Sequence, residues 1–340
     1  ADDNSYGFRP KRSTADAIMQ CFIPLSRKHS AQWILEGDIK SCFDRICHNW
    51  LLFNIPMDKN VLRKWLKAGY MEKGTFFPTM EGTPQGGIAS PVLANMALDG
   101  MEAAIKKATY IRDKANFVRY ADDFIISGAT KEALEKRVMP AVVNFLRVRG
   151  LELSLEKTKL SHINDGFDFL GFNVRKYKGT LLIKPSKKSI KSFLVDIRET
   201  IKSNQGTKVR SLLLLLNPKI RGWTNYYRHS VAKKIFASVD FYILKSLYRW
   251  ARRRHPKKCV KWVKKKYFRT RGMNNWLFSA KLPKGNFDLI RASEVTILRH
   301  IKIRGKASPY DPEFNEYFQK RDRSTKSRPC KSGGRTEGFQ

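Results

Sequence analysis

Cysteine is scarce in this chain. The five present, Cys21, Cys42, Cys47, Cys259 and Cys330, form no Cys-x-x-Cys pair and no Cys/His spacing of a zinc site. A disulfide framework and a zinc knuckle are thereby excluded, and the thiols read as reduced and cytosolic. Long apolar runs are missing too. Leu212–Leu216 is far too short to span a bilayer, nothing near Ala1 is laid out like a signal peptide, and no internal repeat is evident. Acidic residues are the third shortage: 30 Asp and Glu stand against 67 Lys and Arg, a formal charge of +37. An excess of that size calls for a polyanionic partner. Hydrophobic residues, at 42%, still suffice for a sizeable core, which excludes a wholly disordered chain, and 340 residues suggest two or three domains.

The charge is unevenly placed. Residues 1–173 hold 24 basic and 20 acidic side chains, whereas residues 174–340 hold 43 and 10. The first part, near neutrality, can afford a cluster of carboxylates, and the second would hold nucleic acid. Within the first part, Tyr120-Ala121-Asp122-Asp123 lies between the apolar runs Phe117-Val118 and Phe124-Ile125-Ile126, so two carboxylates fall at the tip of an expected β-hairpin. Upstream, Glu36, Asp38 and Lys40 share one strand parity with Ile34, and Leu35 and Ile39 share the other, so Asp38 can face that tip. Phosphoryl transfer asks the protein mainly for positioning and charge stabilisation, which carboxylate-held Mg²⁺ can provide. Neighbouring strand residues point to opposite faces, so Asp122 is assigned as a direct ligand and Asp123 as its support. Alone, the Asp-Asp pair would read first as a polar turn.

Its neighbours decide between those readings. Ser5-Tyr6-Gly7-Phe8-Arg9-Pro10, Asp38-Ile39-Lys40-Ser41-Cys42-Phe43-Asp44, Gly82-Thr83-Pro84-Gln85-Gly86-Gly87 and Tyr120-Ala121-Asp122-Asp123 follow one another in the order of a reverse transcriptase palm. Gly166-Phe167-Asp168-Phe169-Leu170-Gly171-Phe172 resembles a primer-grip hairpin, and Arg221-Gly222-Trp223-Thr224-Asn225-Tyr226-Tyr227 resembles a maturase (thumb) segment. The chain is thus similar, over about positions 5 to 270, to the group II intron-encoded reverse transcriptase/maturase family.

That resemblance implies an α+β right-hand polymerase: partial fingers and palm over 1–175, a helical thumb/maturase domain over 176–265, and a basic DNA-binding-like region and tail over 266–340. It implies two Mg²⁺ ions on Asp38 and Asp122 with Asp123, and Lys157 as proton donor to departing pyrophosphate, with Lys159 or a plain solvated loop as the alternatives. Ile39, Phe43 and Gln85 would meet the nucleotide, Phe43 lying under the sugar where it would clash with a 2′-hydroxyl. Partners would be the chain's own intron RNA, whose splicing it would assist, a DNA target and primer 3′-end, and deoxynucleoside triphosphates. The setting would be the bacterial cytoplasm or an organelle. No membrane partner is expected, and the assembly state is left open. Two other readings stay open: a maturase that only chaperones RNA, and a domesticated or defence-associated reverse transcriptase.

From periodicity, Ser13 and Asp16 open a helix carrying Ala15, Ile18, Met19, Phe22 and Ile23, and a second helix runs from Pro91 to Glu102. Leu151, Leu153 and Leu155 alternate as a strand, and a hairpin turns at Lys178-Gly179. Ile235, Phe236, Val239, Ile243, Leu247 and Trp250 form a core stripe. Arg252 to Arg271 contains eleven Lys or Arg, no acidic residue, and Trp262, Tyr267 and Phe268. Cations there attract phosphate and rings can stack on unpaired bases, so Arg252, Arg253, Arg254, Lys257, Lys258, Lys261, Trp262, Lys264, Lys265 and Lys266 are the expected RNA grip. Arg9 and Arg12 are expected either on template phosphate or at a helix start. The chain begins without Met and enters almost at once on a motif that lies well inside the family's fingers, so a fragment or a processed chain is expected, and no Cys-rich endonuclease domain is recognisable.

Overall fold

A computed structural model describes residues 2–326 apart from 73, 78, 80, 84–86 and 284. The described chain separates into two compact units, one made of residues up to 162 together with those from 301 onward, the other of residues 163–300.

The first unit opens with helix α1 (Thr14–Leu25), capped as its sequence asks: Ser13 and Asp16 form a reciprocal capping box. Strands β1 (Trp33–Gly37) and β2 (Ile39–Lys40) follow, with short helices α2 (Cys42–Arg45), α3 (His48–Asn54) and α4 (Lys59–Lys67). A small hairpin, β3 (Tyr70–Glu72) and β4 (Thr75–Phe77), precedes α5 (Ser90–Ala97) and α6 (Met101–Ala108). The single helix expected from Pro91 to Glu102 is thus two, because Gly100 takes a φ of 91° and ends the first run. Next come β5 (Asn116–Tyr120), β6 (Asp123–Gly128), α7 (Lys131–Ala133), α8 (Met139–Arg147), β7 (Glu152–Leu153) and β8 (Lys159–His162). The expected strand through Leu155 stops at Leu153; Leu155 is 74% exposed.

The central sheet has the order β5-β6-β1-β8, antiparallel throughout. Both its faces are covered, which explains why β1 and β6 read as apolar runs rather than as strict alternation. One face, with Leu35, Phe117, Phe124 and Ile126, packs on Leu93 and Ala97 of α5, Met101 and Ile105 of α6 and Val142 and Leu146 of α8. On β5, α1 packs as well. The buried apolar residues of α1 are Ala17, Ile18, Cys21 and Leu25, whereas Ile23, expected in the stripe, is 42% exposed.

The second unit begins with β9 (Phe167–Phe169), β10 (Phe172–Tyr177) and β11 (Thr180–Pro185) as one antiparallel sheet. The expected turn holds: Lys178 and Gly179 both take positive φ, 46° and 84°, as the favoured two-residue hairpin requires. A domain boundary at 175/176 would cut β10 within its ladder to β11, so this compact unit starts upstream of it, after His162. Helices α9 (Lys187–Ser203), α10 (Val209–Tyr227) and α11 (Lys233–Arg254) form the bundle. Phe236, Val239, Ile243, Leu247 and Trp250 are its buried stripe, as their spacing predicts. The ring of Trp223 stacks on Phe193 at 4.7 Å and meets Tyr227 at 4.9 Å, and Tyr226 and Tyr227 donate hydroxyls to the carbonyls of Leu170 and Gly171. The Trp223–Tyr227 segment therefore joins the bundle to the β9–β10 turn.

Beyond α12 (Val260–Tyr267), residues expected to be a plain basic segment form the sheet β12 (Phe268–Arg271), β13 (Asn274–Leu282) and β14 (Gly285–Asp288), tied by a two-pronged Arg269–Asp288 pair. From 301 the chain belongs to the first unit. There buried Asp16 accepts the Ile303 N–H at 2.8 Å and Arg321 at 3.0 Å, and helix α13 (Asn315–Lys326) follows.

Candidate active site

The three carboxylates converge because of register. Gly37 pairs with Phe124 and Tyr120 pairs with Asp123, so Asp38, one step beyond β1, falls beside the hairpin tip. The tip is a two-residue turn, Ala121-Asp122, with Ala121 at a φ of 59°. Primed hairpin turns need such a positive φ, and an L-residue adopts it at a cost of about 1–2 kcal/mol.

Asp38 leaves the strand line where β1 breaks from β2, and its carbonyl accepts the Ser154 N–H at 2.9 Å. Ser154 opens a tight turn closed by Lys157 and Thr158 N–H groups onto its carbonyl. That turn brings Lys157 Nζ to 2.9 Å from Asp38 Oδ2. The contact is an ion pair, yet buried Oδ2 accepts no hydrogen bond of good geometry. Lys157 itself stays open to solvent, and its pairing with Asp38 raises its pKa and keeps it protonated. Lys159, the alternative, is exposed on β8. Glu36, on the parity of Asp38, is engaged by the Ser161 hydroxyl at 2.8 Å.

Asp123 is exposed at the start of β6 yet crowded by like charge. Desolvation first, then the like charges of Asp122 and Asp38, push its pKa up to about 6, with Lys157 opposing. Such mutual repulsion is what a cation would relieve. Among the described residues no group of three or more His, Cys, Asp or Glu side chains is arranged to hold a metal ion. The donor chemistry nevertheless fits one class, hard carboxylate oxygens crowded by like charge. Mg²⁺ is ordinarily held by one or two carboxylates, with water and substrate phosphates completing its shell.

Phe43 is half-buried against the core and lines, with Phe8, Asn95, Arg119 and Asp122, a tight crevice with no room for a water molecule. Its carbonyl accepts the Thr83 N–H at 2.6 Å, joining the Asp38–Asp44 motif to the loop that leads to Gln85. Gln85 lies outside the described residues. Ile39, also expected at the nucleotide, has its side chain within the core at 2% exposure.

Arg9 and Arg12 are the residues expected either on template phosphate or at a helix start. Arg9 Nη1 donates to the Asp2 carbonyl at 2.6 Å, and Arg12 donates to the carbonyls of Asp3, Ser5 and Gly305 while lying over the Tyr6 ring. Both guanidiniums are thus engaged in holding the N-terminal segment, while the start of α1 is capped by Ser13 and Asp16. Sequence reasoning missed Arg119, which is fully buried and donates from Nη1 to Ala121 O and Asn95 Oδ1, each at 3.1 Å. A cation in an apolar strand next to the acidic turn was the available signal.

In the second unit, Arg253, Lys257, Lys261 and Lys265 are exposed and make no ion pair among the described residues. Others serve the fold in part: Arg252 donates to Lys258 O, Arg254 to Thr207 O, Lys264 lies over Trp276, and Lys258 and Lys266 lie over Trp262. Trp262 is half-buried, edge-on to His255 at 4.7 Å, so it is neither a core ring nor an open stacking platform.

The family model "Reverse transcriptase (RNA-dependent DNA polymerase)" matches residues 1–174, and "Group II intron, maturase-specific domain" matches residues 190–268. The chain belongs to the group II intron-encoded reverse transcriptase/maturase family. Its fold is accordingly that of a right-hand polymerase with a helical region after the palm. It is 30% identical to protein YkfC of Escherichia coli K12 over 207 residues, covering 49% of this chain and 54% of that protein. It is 28% identical to the group II intron-encoded protein LtrA of Lactococcus lactis over 324 residues, covering 66% of this chain and 53% of LtrA. The chain thus spans about half the length of these curated relatives. Among solved structures, apo telomerase from Candida tropicalis, truncated from its C-terminal domain, aligns at 21% identity and a TM-score of 0.43 over 54% of this chain and 41% of that one.

Proposed function

We propose that this chain catalyses RNA-templated addition of deoxynucleotides to a DNA 3′-end and that it binds and assists the splicing of a group II intron RNA, which it copies at a DNA target. The observation that carries the catalytic reading is the convergence of Asp38, Asp122 and Asp123 beside Phe43 in a unit of the reverse transcriptase family.

Asp38 and Asp122 are the carboxylates that would hold Mg²⁺, and Asp123 supports them from the strand start. When bound, two such ions would stabilise the attacking 3′-oxygen and the leaving pyrophosphate oxygen. Lys157, held protonated beside Asp38, would give its proton to departing pyrophosphate; the ion pair with Asp38 supports this role. Phe43 walls the sugar side and disfavours a 2′-hydroxyl. In the second unit the exposed cations of α12 and the segment before it meet RNA phosphates. Primer extension on an RNA template, wild type against Asp122→Ala, tests this reading. Extension by wild type and none by the variant is expected; near wild-type extension by the variant would remove Asp122 from the chemistry, and a wild type that binds intron RNA but never extends would leave an RNA chaperone.

A further inference from the structure

Asp122 sits on a turn that does not hold itself. Ala121 adopts a left-handed φ of 59°, where glycine would be the ordinary choice, so its shape has to be imposed from around it. Three residues do so. Arg119 Nη1 donates to the Ala121 carbonyl, the same nitrogen donates to Asn95 Oδ1, and Asn95 Nδ2 donates to the Gly7 carbonyl at 2.9 Å. Gly7 closes the circuit by proximity: a Cβ there would stand 2.3 Å from the Ala121 backbone nitrogen. The Tyr6 N–H also bonds the Arg119 carbonyl at 2.9 Å, so the N-terminal segment is fastened to β5 beside the turn. Arg119 is buried with Nε and Nη2 unpartnered among the described residues, and burial lowers its pKa to about 10. Such a cation is a poor way to fill a core, and its one satisfied nitrogen is spent on the turn.

We propose that Gly7, Asn95 and Arg119 form a bracket that sets the position of Asp122, with Arg119 and Asn95 as positioning residues. The proposal rests on the metal-holding role given above to Asp38 and Asp122. The bracket acts by geometry rather than by charge, since a cation near the carboxylates would itself oppose metal binding. Charge-preserving variants therefore isolate it.

Asn95→Ala and Arg119→Lys keep every charge near the turn, and Gly7→Ala pushes on it from outside. Each would be tested in the full chain for thermal stability, for Mn²⁺ binding followed by electron paramagnetic resonance, and for primer extension against Mg²⁺ concentration. A misplacement of about 1 Å can cost on the order of 100-fold in rate. Expected are folded proteins with weakened Mn²⁺ binding, a raised half-saturating Mg²⁺, kcat lowered by about 10- to 100-fold and an unchanged KM for primer–template. Wild-type Mn²⁺ binding and Mg²⁺ dependence in Asn95→Ala and Arg119→Lys would overturn the bracket, as would losses that only follow the folded fraction. Asp122→Ala run alongside separates the two ideas: if it leaves extension intact the metal reading fails, whereas if it abolishes extension while the bracket variants match wild type, only the bracket fails.

Discussion

The two compact units handle charge in opposite ways. The unit of residues 163–300 carries 33 basic and 7 acidic side chains, while the remainder carries 34 and 23. In the basic unit the few carboxylates are largely bound into the fold: Asp288 to Arg269 and Arg271, Glu294 to Arg271, Asp196 to Lys219, and Asp240 to the N–H groups of Ala292 and Ser293. What remains on its surface is uncompensated cation. In the other unit three carboxylates are brought together with one exposed lysine between them and solvent. Each unit thus carries an electrostatic cost that its proposed ligand would relieve, RNA phosphate in one and divalent cations in the other.

The largest effect expected is on catalysis. Replacing Asp38 or Asp122 by Ala should lower cDNA synthesis by about 10³-fold or more, as loss of several kcal/mol of charge stabilisation implies. Intron RNA affinity should stay within about twofold if the grip lies in the other unit; a comparable fall in affinity would break the division between the units.

Next in size is the grip. Changing Lys257, Lys258, Lys261, Lys264, Lys265 and Lys266 to Gln should reduce the log–log salt slope of RNA binding by about 4 to 5 if all six meet phosphate. Lys258, Lys264 and Lys266 lie over aromatic rings, so a smaller drop would identify Lys257, Lys261 and Lys265 as the contacts. An unchanged slope, read by titration at several salt concentrations, would make this a solvated face.

Smaller again is the stability effect of the crowded carboxylates. Asp123 has a folded pKa of about 6 against an ordinary 3.8. Folded protein therefore holds its proton more tightly than unfolded protein. That contribution is fully present below about pH 4 and is lost as pH rises through about 6. At neutral pH Asp123→Asn should raise Tm, by about 1–3 °C after allowance for solvent screening. The gain should vanish near pH 4 and shrink when Mg²⁺ is added at neutral pH. A variant less stable than wild type at pH 7.5 would mean that Asp123 is not crowded in solution.

The smallest concerns the sugar wall. Phe43→Val should raise ribonucleotide incorporation relative to deoxynucleotide, read in single-nucleotide extension, with little loss of the latter. An unchanged ratio would return Phe43 to the core against which it packs.

Much of this was legible in the sequence. The two short apolar runs flanking Asp122 specified the hairpin, the Ser13/Asp16 box specified α1, and the three- and four-residue steps from Phe236 to Trp250 specified the buried face of α11. What escaped depends on long-range partners. The break at Gly100 and the end of β7 at Leu153 are local departures from periodic patterns that tertiary packing tolerates. Arg9 and Arg12 looked available because their acceptors are backbone carbonyls, one of them at Gly305, which no spacing rule connects to residue 12. Likewise Arg119 reads as one more cation until Ala121 and Asn95 are seen beside it. The sheet from Phe268 to Asp288 was hidden by its charge, since the arginines that suggested a nucleic-acid contact also pair with Asp288.

The division of labour is tested most directly by primer extension on an RNA template at saturating primer–template, comparing Asp122→Ala with the six-Gln protein. At saturation weak binding no longer limits the rate. The six-Gln protein should then extend at close to the wild-type rate while Asp122→Ala does not extend at all; a six-Gln protein as inert as Asp122→Ala once every molecule is bound would contradict the account.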